Sequence, residues 1–96
     1  MKLLLIIYDA EYDEELTEHL NRSGIKAFSK LEKVLGKGKK SSPKMDSSVW
    51  PGFNSGIIIG VDEKEEKNIM KNLFSLSTEL GGKGLKVFVL PVLEVI

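Results

Sequence analysis

Apolar and polar positions change period several times along the chain, and each change predicts an element. Lys2 to Asp9 is an unbroken apolar run in which Leu3, Leu5 and Ile7 fall on one side of a strand. Leu4, Ile6 and Tyr8 fall on the other, so both sides are apolar. From Asp13 to Ser23 the period becomes helical, with Tyr12, Leu16 and Leu20 recurring every four residues. Asp13, Glu14 and Glu15 occupy the first turn, where the helix dipole favours anions, and Gly24 stands at the stop. Ile25 to Leu35 reads as a second strand with imperfect alternation, which implies a bulge or a strand reaching past the core. Asn54 to Val61 is a third strand, centred on Ile57, Ile58 and Ile59. Asp62 then caps a second helix, with Glu65 three residues on in a capping-box pattern. Ile69, Leu73, Leu76 and Leu80 form its inward stripe, Met70 and Phe74 flank it, and Gly81 and Gly82 end it. Leu85 to Val92 is the last strand, with Val87 and Val89 on one side, Phe88 and Leu90 on the other, and Pro91 near its end.

Strand, helix, strand, strand, helix, strand is the order of a ferredoxin-like βαββαβ domain of the α+β class, spanning residues 1–96 as one unit. Both helices of that plan cover one side of a four-stranded antiparallel sheet. Three strands here carry large apolar residues on the other side as well. Leaving such a surface in water costs about 25 cal/mol per Å², so self-association through it is expected. Between the second and third strands, Gly36 to Gly52 follows neither period and reads as a long loop. Loops of this length in compact domains usually carry function.

The bulk composition narrows the function classes. Fourteen basic and fourteen acidic residues leave a net charge of zero, which argues against a general nucleic-acid binder. The absence of cysteine removes thiol catalysis, disulfides and thiolate metal sites. The opening apolar run is too short for a signal sequence and is followed at once by acidic residues, so a cytoplasmic protein, not membrane-inserted, is expected.

Candidate chemistry gathers in the loops. Gly36-Lys37-Gly38-Lys39-Lys40-Ser41 combines backbone that can approach an anion with lysine charge, although its spacing is not that of a P-loop. A solvated lysine loop is the plain alternative. Gly81-Gly82-Lys83-Gly84 holds more glycine than a helix stop needs, and Lys83 or Lys86 could supply charge beside it. Trp50 closes the long loop as a packing anchor, a stacking surface or a subunit contact. His19, the single histidine, is expected at the surface rather than in a metal site. No His or Asp is placed to activate a loop serine, so no catalytic residue is assigned and an enzyme is not expected.

The final segment, Gly84-Leu85-Lys86-Val87-Phe88-Val89-Leu90-Pro91-Val92-Leu93-Glu94-Val95, resembles the last core strand of the PII nitrogen-regulatory proteins, typically GKIFVLPVEEV. Gly24-Ile25, Glu32 and Gly36-Lys37-Gly38-Lys39 resemble that family's GI…E…GFGR leading into its T-loop, with one inserted residue. The resemblance implies a homotrimer with inward-facing sheets, an adenine nucleotide (ATP, ADP or AMP) in each subunit cleft, and a loop that engages a transporter or enzyme. It assigns Ser29 to a position near the adenine, Lys39 to that of the arginine after GxG, and Lys86 to that of a phosphate-binding lysine. Gly36, Gly38, Lys40 and Gly84 complete the ligand-binding set, and Lys44, Met45 and Trp50 fall in the partner-binding loop.

The chain also departs from the family pattern. Its loop has no tyrosine to accept a uridylyl group. The family's GDGK is replaced by Lys83-Gly84-Leu85-Lys86, and the basic residues beyond the last strand have no counterpart before Ile96. The expected function is therefore that of a trimeric PII-like regulator with its own small anionic ligand and protein partner. The alternative is a metal-binding tolerance protein like CutA, which has the same trimeric architecture and would use carboxylates and His19.

Overall fold

The computed structural model describes residues 1–39 and 42–96. Its elements run β1 (Lys2–Asp9), a 3-10 turn (Ala10–Tyr12), α1 (Asp13–Arg22), β2 (Ser29–Val34), β3 (Asn54–Val61), α2 (Glu63–Glu79) and β4 (Leu85–Pro91). The four strands form one antiparallel sheet in the order β2-β3-β1-β4. This is the ferredoxin-like plan, with β1 and β3 at the centre and β2 and β4 at the edges.

The helices form where the sequence supplies starts and stops. Asp62 accepts from the Glu65 backbone N–H at 2.7 Å, and the Glu65 side chain accepts from the Asp62 N–H at 3.0 Å. That reciprocal pair satisfies two donors that a helix start would otherwise leave open. At the far end, Gly81 and Gly82 both have positive φ, and the Gly82 N–H donates to Ser77 O at 2.8 Å, closing the last turn.

The helices pack on the sheet face that carries Leu4, Ile6, Tyr8, Ile57, Ile59 and Val61, all buried. Leu16 and Leu20 of α1 and Ile69, Leu73 and Leu76 of α2 complete this core. The opposite face is also apolar, and strand register assembles it in rows. One row crosses the sheet as Ser29, Ile58, Leu5 and Phe88, and the next as Leu31, Gly56, Ile7 and Lys86. Leu31, Phe88 and Leu90 on this face are exposed.

The second strand differs from expectation at both ends. It begins at Ser29 rather than Ile25 and ends at Val34 rather than Leu35. Ile25 is buried, and its N–H donates to Leu20 O at 3.1 Å, so the end of α1 takes this residue into the helix-side core before pairing with β3 starts. The expected irregularity is present as a register shift between Leu31 and Val34.

His19 is buried, not at the surface. The face of α1 that bears it packs into the domain, and its Nδ1 lies 2.9 Å from Glu15 O one turn back, which gives the buried ring a polar partner.

Candidate ligand and loop site at one end of the sheet

Antiparallel pairing brings four chain segments to one end of the sheet. The end of β1, the end of β2 and the starts of β3 and β4 meet there, so the described residues at the base of the 36–52 loop and the 81–84 turn are neighbours of Asp9. Backbone hydrogen bonds fix the arrangement. The Asp9 N–H donates to Gly84 O at 2.9 Å, and the Ala10 N–H donates to Phe53 O at 3.2 Å.

Asp9 is the hub of this end. One carboxylate oxygen accepts from the Glu11 N–H at 3.0 Å, starting the 3-10 turn, and the other accepts from Lys44 Nζ at 2.5 Å. Lys44 Nζ also lies 3.4 Å from Asn54 Oδ1. Partial burial pushes the Asp9 carboxyl up, but the Lys44 hydrogen bond, the Glu11 N–H and the Lys44 charge together hold it below the ordinary carboxylate value.

The loop is anchored through the same lysine. Gly36 and Lys44 exchange backbone hydrogen bonds of 2.9 and 2.7 Å as an isolated antiparallel bridge. Beyond it, Asp46 pairs with Lys33 of β2 at 2.5 Å, while the Lys33 ammonium stands 5.1 Å from the centre of the Phe53 ring. The chain then turns tightly. The N–H groups of Met45 and Ser47 both donate to Trp50 O, at 3.2 and 3.1 Å, and the Trp50 N–H donates to Ser47 Oγ at 3.0 Å. This turn leaves Met45, Val49 and Trp50 exposed together.

A second polar chain sits just inside the helix layer. The Tyr8 hydroxyl donates to Asp13 Oδ1 at 2.5 Å, and the same oxygen is 2.7 Å from Lys30 Nζ. The hydrogen bond from Lys30, then that from Tyr8, hold the Asp13 carboxyl below its ordinary value against the opposing effect of burial. Burial first, then the hydrogen bond to Asp13 and its charge, raise the Tyr8 phenol well above its usual value.

Of the ligand residues expected from sequence, the structure gathers Gly36, Gly84 and Lys86 toward this end. Gly36 forms the loop bridge, and Gly84 packs on Tyr12. Lys86 registers with Ile7 on the open face. Gly38 and Lys39 are exposed in the loop, and Lys40 lies outside the described residues. Ser29 is on the β2 edge and Lys86 on the β4 edge, separated by three strand spacings, roughly 14 Å across the sheet, and by one further row along it. One protomer does not bring these two together. Among the partner-loop residues, Met45 and Trp50 face solvent while the Lys44 side chain turns inward to Asp9.

The Asp9–Lys44–Asn54 cluster and the Tyr8–Asp13–Lys30 chain were missed in the sequence. Asp9 and Asn54 are register partners at the ends of β1 and β3, so their meeting follows once those strands are paired. The lysines carry no such signal. Among the described residues, no three His, Cys, Asp or Glu side chains gather as a metal-binding set, and no helix is long and apolar enough to cross a membrane.

The fold has close structural counterparts. The PII-like protein CPII from Thiomonas intermedia K12, solved bound to ADP, AMP and bicarbonate, superposes with a TM-score of 0.73 at 22% identity over 92% of this chain and 81% of that one. Its apo form gives 0.66 at 23% identity over 92% and 84%. A PII-like signalling protein from Thermus thermophilus gives 0.60 at 22% identity over 92% and 82%. No curated protein sequence matches. The sequence profile of the nitrogen regulatory protein P-II family matches residues 1–96 throughout, and the chain belongs to that family.

Proposed function

We propose that the protein is a cytoplasmic homotrimeric regulator that binds an adenine nucleotide between subunits and signals to a transporter or enzyme through residues 36–52. The observation that carries this reading is the position of Ser29 and Lys86 on opposite edges of a sheet whose open face is apolar. A second copy covering that face can set one edge beside the other, which a single chain cannot do. Ser29 of one subunit then lies near the base, while Lys86 and the glycine-containing segments 36–39 and 81–84 serve the phosphates. Lysine suits this role as a point charge with rotatable donors. The exposed Met45, Val49 and Trp50 give the loop an apolar tip for a protein partner.

That CPII of Thiomonas intermedia K12 was solved with ADP, AMP and bicarbonate supports an adenine nucleotide as the ligand class. Leu85 follows Gly84 where the family has a second small residue, and its side chain packs against the helix-side core, leaving Lys86 on the open face.

Calorimetric titration with ADP, AMP and ATP tests the reading. Binding of ADP, weakened about tenfold or more by Lys86→Ala through loss of a charge-assisted contact, is the expected result. Absence of binding at millimolar nucleotide, or equal binding by the variant, overturns it.

A further inference from the structure

The loop leaving β2 is tied to the domain body by charge. Lys44 and Asp9 are 35 residues apart in sequence, and their side chains are 27% and 25% exposed. The second tie, Lys33 to Asp46, is 52% and 42% exposed and therefore weak. Water screens the first pair much less, and separating its members leaves two half-buried charges without partners. Of these two ties among the described residues, the Asp9–Lys44 pair is therefore the stronger.

The geometry also shows which member is fixed. Asp9 is held at the end of β1 by its own N–H to Gly84 O and by the Glu11 N–H to its carboxylate. Lys44 is held by Asp9, by Asn54 and by the two backbone bonds to Gly36. Release of its ammonium therefore removes the side-chain support of the Gly36–Lys44 bridge. Among the described residues, a Cβ built on Gly36 would meet Asn54 Nδ2 at 4.0 Å and nothing nearer.

We propose that Asp9 and Lys44 form a latch in which Asp9, a built-in anion, holds the base of the loop shut until an anionic ligand takes Lys44 from it. A phosphate group carries more negative charge than one carboxylate and presents more acceptor oxygens, so it competes effectively for an ammonium with three donors. Lys44 is then a ligand-binding residue held in reserve, and its transfer couples ligand occupancy to loop release. The identity of the ligand rests on the proposed function above; the latch does not.

Amide hydrogen exchange at Gly36 and Lys44 in the ligand-free protein tests the latch directly. Asp9→Asn keeps an acceptor for the Glu11 N–H and removes both the charge and the oxygen that accepts from Lys44. Exchange at both amides is expected to rise about tenfold in Asp9→Asn and in Lys44→Met, and no further in the double variant, because local opening sets the exchange rate. Unchanged exchange in Asp9→Asn overturns the latch. Titration with ADP then tests displacement, with about tenfold tighter binding expected in Asp9→Asn. A loop that opens in the variant while ADP affinity stays equal overturns the competition. If neither protein binds ADP, the nucleotide reading fails and displacement by nucleotide with it, while the exchange rates still decide the latch.

Discussion

Gly84 lies against the ring of Tyr12 so closely that a Cβ built on it would stand 2.7 Å from Tyr12 Cε2. Its φ of +74° is also one that side-chain-bearing residues rarely adopt. The resemblance to PII proteins places this glycine in a phosphate-facing turn, yet packing alone already demands it. Gly84→Ala is expected to destabilise the fold by about 1–3 kcal/mol through combined strain and overlap. Urea denaturation checks this, and Tyr12→Ala in the same chain is expected to recover only the steric part. A neutral Gly84→Ala would mean that the turn relaxes freely.

The Asp9 and Asp13 carboxyls, both held below the ordinary value, predict an acid limb of stability. A depressed folded-state value means that the unfolded chain takes up protons first as pH falls. The stabilisation is therefore complete above the unfolded value of about 3.9 and is lost as pH drops through the folded values. Urea midpoints compared at pH 7 and pH 3, at one protein concentration, should fall more in the native chain than in an Asp9→Asn, Asp13→Asn variant.

Tyr8 predicts the alkaline limb. Its phenol is raised because ionisation would place a buried phenolate beside Asp13. The corresponding stability is present below the unfolded tyrosine value of about 10 and is lost as pH rises toward the folded one. Tyr8→Phe is expected to cost about 1 kcal/mol at neutral pH by removing the hydroxyl bond to Asp13. It should also flatten stability above pH ~10, which denaturation at two alkaline pH values would reveal.

The open face of the sheet predicts the oligomer. Light scattering should give a mass three times the 10.7 kDa of one chain. Phe88 is 50% exposed in the single chain, so Phe88→Asp should leave the protomer folded, with a change within about 0.5 kcal/mol. It should nonetheless shift the mass to the monomer, because a charge facing an apolar partner is not solvated. A monomeric native protein would remove the subunit cleft and the nucleotide site built on it.

Much of the fold was legible because it depends on local period and termination. The two-sided apolar strand at Lys2 to Asp9, the capping box of Asp62 and Glu65, and the glycine stops each determined an element without reference to the rest of the chain. The β2 boundary was not legible, because Ile25 is drawn to the helix-side core by its position after α1 rather than by its own pattern. His19 was misplaced for the same reason: burial is decided by what packs on a residue, and its hydrogen bond to Glu15 O makes that burial tolerable.

The sequence by itself determined that both faces of the sheet are apolar, since the period of a strand sorts side chains before any partner is known. It also determined, through the final strand and the glycines of the loop, the family to which the chain belongs. Only the tertiary structure decided that Lys44 meets Asp9, that Lys30 and Tyr8 share Asp13, and that Ser29 and Lys86 lie on opposite edges. Those relationships depend on strand order and register, which bring distant residues within a few ångströms, and no period in the sequence encodes a contact across 35 positions.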